Sequence, residues 1–182
     1  TEPAGSPPRR RSFWRTPAGI VAGVLLGFGA LALAGLVAIG VAAEMGYLPP
    51  TAVVERAKLR TSVVELLREH GILEPGETVR YYYSTGFLSY LEDGNIVTDR
   101  RVISYWQPLG ETAIEVAAAT YAEIADVAVD WGDSFLDDTV ITVTLREDEN
   151  GIAGEIELWA STEDGGDKKF HAELERLWAQ HR

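Results

Sequence analysis

The chain has no cysteine, one methionine and three histidines in 182 residues. Without cysteine there is no disulfide framework, no thiolate metal site and no cysteine nucleophile. The histidines, His70, His171 and His181, show no H-x-x-x-H spacing, and the one H-x-E, His171-Ala172-Glu173, has no cysteine to complete a metal set, so no metal-binding pattern is present. No glycine-rich loop leads into Lys-Ser/Thr, which removes the usual phosphate cradle. Bases are scarce: 16 Lys and Arg face 28 Asp and Glu, for a net charge of -12. A nucleic-acid binder draws its affinity from bases that displace counterions, so that class is excluded.

Charge is missing altogether from one stretch. Residues 18–43 are 26 consecutive uncharged positions. As a helix they reach roughly 39 Å, against about 30 Å of bilayer hydrocarbon. A secretory signal has a shorter apolar region, about 7–15 residues, so the run predicts a membrane-spanning helix. Val41-Ala42-Ala43 leaves cleavage after Ala43 as the alternative. The leading Thr1 is the small residue expected after removal of an initiator methionine.

The uncharged block divides the rest. Residues 1–17 carry Arg9, Arg10, Arg11 and Arg15 with one acid, Glu2; residues 44–182 hold the other 12 bases and 27 acids. Beyond the block no base occurs before Arg56. The positive-inside rule therefore predicts a cytoplasmic basic tail and an acidic domain across the membrane, in a bacterial inner-membrane protein its periplasmic or extracytoplasmic side. Phe13 and Trp14 on one side and Tyr47 on the other are placed for interfacial anchors. Along the helix, Gly19, Gly23 and Gly27 recur at four-residue intervals, and then Ala30, Ala34, Ala38 and Ala42 do the same. Between helices in lipid, close backbone approach across small residues is a main source of association, so this stripe predicts packing on another helix.

Pro49-Pro50 ends the spanning segment, and Thr51 is a candidate N-cap for an amphipathic helix running to about His70, stopped by Gly71. Residues 44–71 thus read as linker and helix. The period then changes. Val79–Ser84, Phe87–Leu91, Asn95–Thr98, Arg101–Trp106, Ile114–Ala119, Ala125–Trp131, Thr139–Leu145 and Glu155–Ser161 are eight strand-like stretches, from which a domain of about seven short antiparallel strands is expected. Phe170, Leu174, Leu177 and Trp178 fall at i, i+4, i+7 and i+8 and predict a closing helix, with Asp167 at its positive end.

The stretch LEPGETVRYYYSTGFLSYLEDGNIVTDRRVISYW, Leu73–Trp106, resembles bacterial pleckstrin-homology-like (PH-like) domains of membrane-anchored proteins. The resemblance is carried by Glu77, the aromatic run Tyr81–Tyr83, and the Gly94, Val97, Thr98, Asp99, Arg101 hairpin. YAEIADVAV and DGGDKKFHAELERLW extend it over roughly residues 72–180. It implies an α+β fold for residues 72–182, with antiparallel strands in a small barrel or sandwich closed by a C-terminal helix. Phosphoinositide-binding members of this superfold use several bases between their first two strands. Here Arg80 is the only base from Val79 to Thr98, and an anionic leaflet repels so acidic a domain, so headgroup binding is not expected.

Other features read as structural. Asp130, Asp133, Asp137 and Asp138 do not match a calcium loop and read as a solvated inter-strand loop. Asp99-Arg100-Arg101 reads as a turn ion pair. Tyr81, Tyr83, Tyr90, Tyr105 and Trp106 alternate along neighbouring strands and form a candidate protein interface, since alternate positions of a regular strand face outward. No nucleophile, base, metal set or cofactor motif is assembled. The expectation is a non-catalytic accessory or stabilising subunit of a larger membrane complex, of respiratory or photosynthetic type, contacting other subunits through helix and domain. The alternative is a stand-alone membrane-anchored module that recruits a peptide or small ligand.

Overall fold

The computed structural model describes residues 17–45, 47–134 and 137–181. The chain divides into two units, residues 1–44 and 45–182. In the first, helix α1 spans Pro17–Glu44. Its described side chains are largely solvent-facing, and Val21–Ala38 is long and apolar enough to cross a membrane. Length and composition of that kind fit a membrane span and equally a signal sequence. Gly19 to Ala42 of the small-residue stripe all fall within α1. Arg9, Arg10, Arg11, Phe13, Trp14 and Arg15 lie outside the described residues.

The second unit begins with β1 (Val54–Glu55) and α2 (Thr61–Glu69). The helix expected from Thr51 therefore starts ten residues later. Val54 and Glu55 pair with Tyr82 and Tyr81 at a sheet edge, and the Arg56 N–H donates to the Arg80 carbonyl at 3.1 Å. Backbone groups committed to a sheet cannot serve a helix. Thr51 caps nothing; its hydroxyl donates to Glu163 at 3.2 Å. The end of α2 is as the sequence indicates. Gly71 has φ +72°, with Ile72 N–H donating to Leu67 O and Gly71 N–H to Arg68 O, the paired bonds of a Schellman stop.

The strands β2 (Val79–Tyr83), β3 (Asp93–Thr98), β4 (Arg101–Trp106) and β5 (Glu115–Thr120) follow, then β6 (Ile124–Asp130), β7 (Thr139–Leu145) and β8 (Glu155–Ala160). They form two antiparallel sheets, one in the order β1-β2-β3-β4-β5 and one in the order β6-β7-β8. The expected barrel is therefore not closed. A 3-10 turn, Tyr121–Glu123, takes the chain from one sheet to the other. The Glu123 carboxylate accepts from both the Thr120 N–H and hydroxyl at 2.7 Å, and the buried Tyr121 hydroxyl donates to Thr98 O at 2.6 Å. A turn pinned in this way ends the β5 ladder where β6 begins.

Both faces of the larger sheet are covered. Against one face, Val63, Val64 and Leu67 of α2 pack with Ile72, Tyr82, Ile96 and Ile103. Against the other, Val97 and Val102 join Ile141, Val143 and Leu158 of the smaller sheet. The closing helix α3 (Gly166–Trp178) adds Phe170, Leu174, Leu177 and Trp178 to this second core, the four residues its periodicity selected. Along β8 the alternation is complete: Ile156, Leu158 and Ala160 point inward, and Glu155, Glu157 and Trp159 outward.

Candidate binding groove

The aromatic residues separate into core and surface. Tyr105 is 1% exposed; its hydroxyl donates to Tyr90 O at 2.5 Å and lies 3.1 Å from the Tyr82 hydroxyl. Tyr83 is buried and donates to Asp138 at 2.8 Å, and buried Tyr90 donates to Leu48 O at 2.7 Å. Burial pushes the Tyr82, Tyr83 and Tyr105 phenols well above their ordinary range, with the Asp138 carboxylate adding to the shift of Tyr83. Tyr83, Tyr90 and Tyr105 are thus internal, which corrects their reading as interface residues. The alternation argument assumed one solvent-facing side; α2 covers the side of Tyr90 and Tyr105, and Tyr83, facing the other way, is covered where it meets Asp138. Tyr81 is half-buried, and of the five only Trp106 is substantially exposed, at 42%. Tyr47 is exposed, with the Arg60 guanidinium 4.6 Å above its ring.

Trp106 borders a groove of about 370 Å³ between the two sheets. Its floor is a cross-strand row on the larger sheet, Asn95 opposite Ser104 and Ser104 opposite Ala117. Its other wall is β8, which brings Glu155, Glu157 and Trp159. Trp159 is also 42% exposed. Sequence reasoning passed over Trp159, although the β8 alternation already sets it on the same side as the two glutamates. As the last strand of its sheet, β8 pairs with β7 and with no second strand among the described residues.

Two properties of the groove are chemical. No lysine, arginine or histidine among the described residues lines it, whereas Asp93, Glu155 and Glu157 do. Asn95 is only 4% exposed, yet its Oδ1 has no hydrogen-bond partner among the described residues. Buried polar atoms are nearly always paired, and this oxygen is an exception that is closed off from solvent.

Next to the groove, the 84–92 loop replaces the expected strand Phe87–Leu91. The Thr85 and Gly86 N–H groups donate to Asp93 Oδ1 at 2.7 and 2.9 Å, and Phe87 and Leu88 N–H to Glu92 Oε2 at 2.6 and 3.2 Å. Side-chain carboxylates satisfy the N–H groups that a strand would have paired. They also fill with the protein's own negative charge the backbone donors that an external anion would need.

Arg101, Glu77 and Asp99 have structural roles. Arg101 pairs with Glu77 and not with its neighbour Asp99: Nε–Oε1 is 3.0 Å and Nη2–Oε2 is 3.1 Å. Asp99 instead accepts from the Thr78 N–H at 2.7 Å. Glu77 is fully buried, which by itself would raise its pKa. The bonds from Arg101, the Glu74 N–H and Thr98 hold it below the usual carboxylate value. Among the described residues no group of three or more His, Asp and Glu is placed to hold a metal ion.

No protein-family model matches the chain, and no curated protein does. Among solved structures, the chain is similar to a DUF1696 family protein with a pleckstrin-homology domain from Shewanella loihica. That match has 17% identity and a TM-score of 0.43, over 71% of this chain and 95% of that one. It is also similar to a pleckstrin homology domain from Shewanella amazonensis, at 16% identity and a TM-score of 0.42, over 67% of this chain and 89% of that one. The chain's own topology, antiparallel strands in two sheets followed by a C-terminal helix, is the PH-like arrangement that its sequence resembles.

Proposed function

We propose that this protein is a non-catalytic, single-pass subunit of a larger bacterial membrane complex, with its acidic PH-like unit as the docking part. The observation that carries this reading is the groove: two half-exposed tryptophans flank a carboxylate-lined cleft beside a strand that has no second neighbour among the described residues. Tryptophan is enriched at protein interfaces, and free strand edges are a recurrent docking element. The carboxylates that occupy the 84–92 loop favour a protein partner over a phosphate headgroup. For the helix, the four-residue repeat of Gly and Ala supports packing on a partner helix. The arginines before it support a cytoplasmic N-terminus, an extracytoplasmic domain and an inner-membrane location.

The test is purification of the tagged full-length chain from its native membranes in mild detergent, followed by native electrophoresis and mass spectrometry. Migration in a larger assembly with defined partners is the expected result. Migration as one or two copies alone would overturn the subunit reading. It would favour the stand-alone binding module, which a groove of about 370 Å³ also suits, being of small-ligand size.

A further inference from the structure

We infer that the end of the PH-like unit formed by the 84–92 and 107–114 loops enters the lipid–water interface of the membrane that α1 spans, with Phe87, Leu88 and Leu109 as the inserted side chains. The inference rests on the single-pass reading above and is independent of the subunit reading.

Phe87 is 69% exposed, Leu88 63%, and Leu109 fully. Scattered exposed apolar residues are ordinary, but these three share one end of the larger sheet. Asp93, at the start of β3, pairs with Trp106, at the end of β4, and the Gln107 N–H donates to Glu92 O at 2.7 Å. The two loops therefore leave the sheet side by side. Each has its own backbone bonds. Phe87 and Leu88 N–H donate to the Glu92 carboxylate, and the Glu111 N–H closes a turn on Pro108 O at 3.0 Å, with Leu109 at its corner and Gly110 at φ +85°. Backbone already paired in this way loses little when water becomes scarce around it.

A second observation identifies lipid as the occupant. The segment that follows α1 is bound to the same loop: the Tyr90 hydroxyl, two residues from Leu88, donates to Leu48 O at 2.7 Å, and the Arg60 guanidinium donates to Met45 O at 2.8 Å. Leu48 comes four residues after Glu44, the last residue of α1, so chain length alone keeps the two within about 14 Å. Whatever bilayer holds the helix is thus within reach of the loop that carries Phe87 and Leu88. Met45 and Tyr47 are exposed on the connecting segment, and tyrosine is an interfacial residue. Charge selects the kind of surface. Neither loop contains a base, and Glu92 and Glu111 are acidic, so anionic headgroups are not attracted. The contact is apolar insertion into a zwitterionic surface.

The absence of cysteine permits labelling at one chosen site. The full-length chain is reconstituted in phosphatidylcholine vesicles with a single nitrobenzoxadiazole label on Leu88→Cys, Leu109→Cys or Arg100→Cys. Arg100 is half-exposed in the β3–β4 turn, at the opposite end of the same strands, about 17 Å away. Lipids carrying a nitroxide near the headgroup should quench the labels at 88 and 109 at least about threefold more than the label at 100, and aqueous iodide should show the reverse order. Phe87→Ser/Leu88→Ser replaces two exposed side chains. It should cut lipid quenching of the label at 109 several-fold and leave the thermal melt unchanged.

Equal lipid quenching at the three sites, or an unaltered label at 109 in the double serine variant, would overturn the inference. Protection from iodide without lipid quenching would also overturn it, since a second copy would then cover the loops. A requirement for anionic lipid would overturn it in favour of a headgroup site. Failure of the single-pass reading is seen separately. Release of the chain from native membranes by alkaline carbonate would remove that reading and this inference together, whereas retention of the chain with equal quenching would remove this inference alone.

Discussion

The Glu77–Arg101 pair ties the segment after α2 to the β3–β4 hairpin, and Arg101→Met tests how much the fold depends on it. Glu77 is fully buried; Arg101 is 17% exposed and also donates to Ile72 O at 3.2 Å. Removing one partner of a buried pair typically costs about 3–5 kcal/mol, because the other charge stays buried without compensation. Here the Glu74 N–H and the Thr98 hydroxyl, each 2.8 Å from a Glu77 oxygen, remain as donors, which favours the lower end. At roughly 4 °C per kcal/mol for a unit of this size, about 3 kcal/mol lowers Tm by about 12 °C.

The assay is thermal unfolding of the full-length chain in detergent, followed by near-ultraviolet circular dichroism. The pH dependence has a definite sign. Glu77 is held below its ordinary value of 4.5 in the folded protein. Its contribution is therefore complete above that value and is lost as pH falls through the lower folded pKa. The difference between wild type and Arg101→Met should shrink from pH 7 to about pH 3, and Glu77→Gln should remove that pH dependence. A loss below about 1 kcal/mol, or one equally large at both pH values, would refute the argument, since it would mean that water or other groups already compensate the carboxylate.

Further outcomes follow from other sites. A Cβ on Gly94 would overlap the buried ring of Tyr105, so Gly94→Ala should destabilise by about 1–3 kcal/mol in the same melt. Tyr105→Phe removes the hydroxyl that donates to Tyr90 O and contacts the Tyr82 hydroxyl, and should cost about 1–3 kcal/mol by chemical denaturation. In α1, Gly27→Leu puts bulk in the middle of the small-residue stripe, and a lower yield of co-purified partner is expected with the domain melt unchanged. In intact cells and inverted vesicles, protease should reach the acidic domain only from the extracytoplasmic face; cleavage only from the cytoplasmic side would reverse the assigned orientation.

Some of this molecule is determined by local sequence alone. The uncharged run predicts α1, Gly71 ends α2, the i, i+4, i+7, i+8 spacing selects the buried face of α3, and alternation along β8 separates Ile156 and Leu158 from Trp159. Each depends on the chemistry of neighbouring residues. The remainder depends on partners far along the chain. Thr51 resembles a cap but β1 claims the segment that follows, and Arg101 stands two residues from Asp99 yet pairs with Glu77. The tyrosine-rich strands alternate as though one face met solvent, but α2 packs over Tyr90 and Tyr105 on one side and Tyr83 meets Asp138 on the other, so of the five expected there only Trp106 is substantially open. The groove itself belongs to this second class. Asn95 and Ser104 lie on one sheet and Glu157 and Trp159 on the other, and no spacing in the sequence shows that the sheets meet there. Periodicity reports which side of an element is apolar; only packing between distant elements decides which side is covered and which charge is paired.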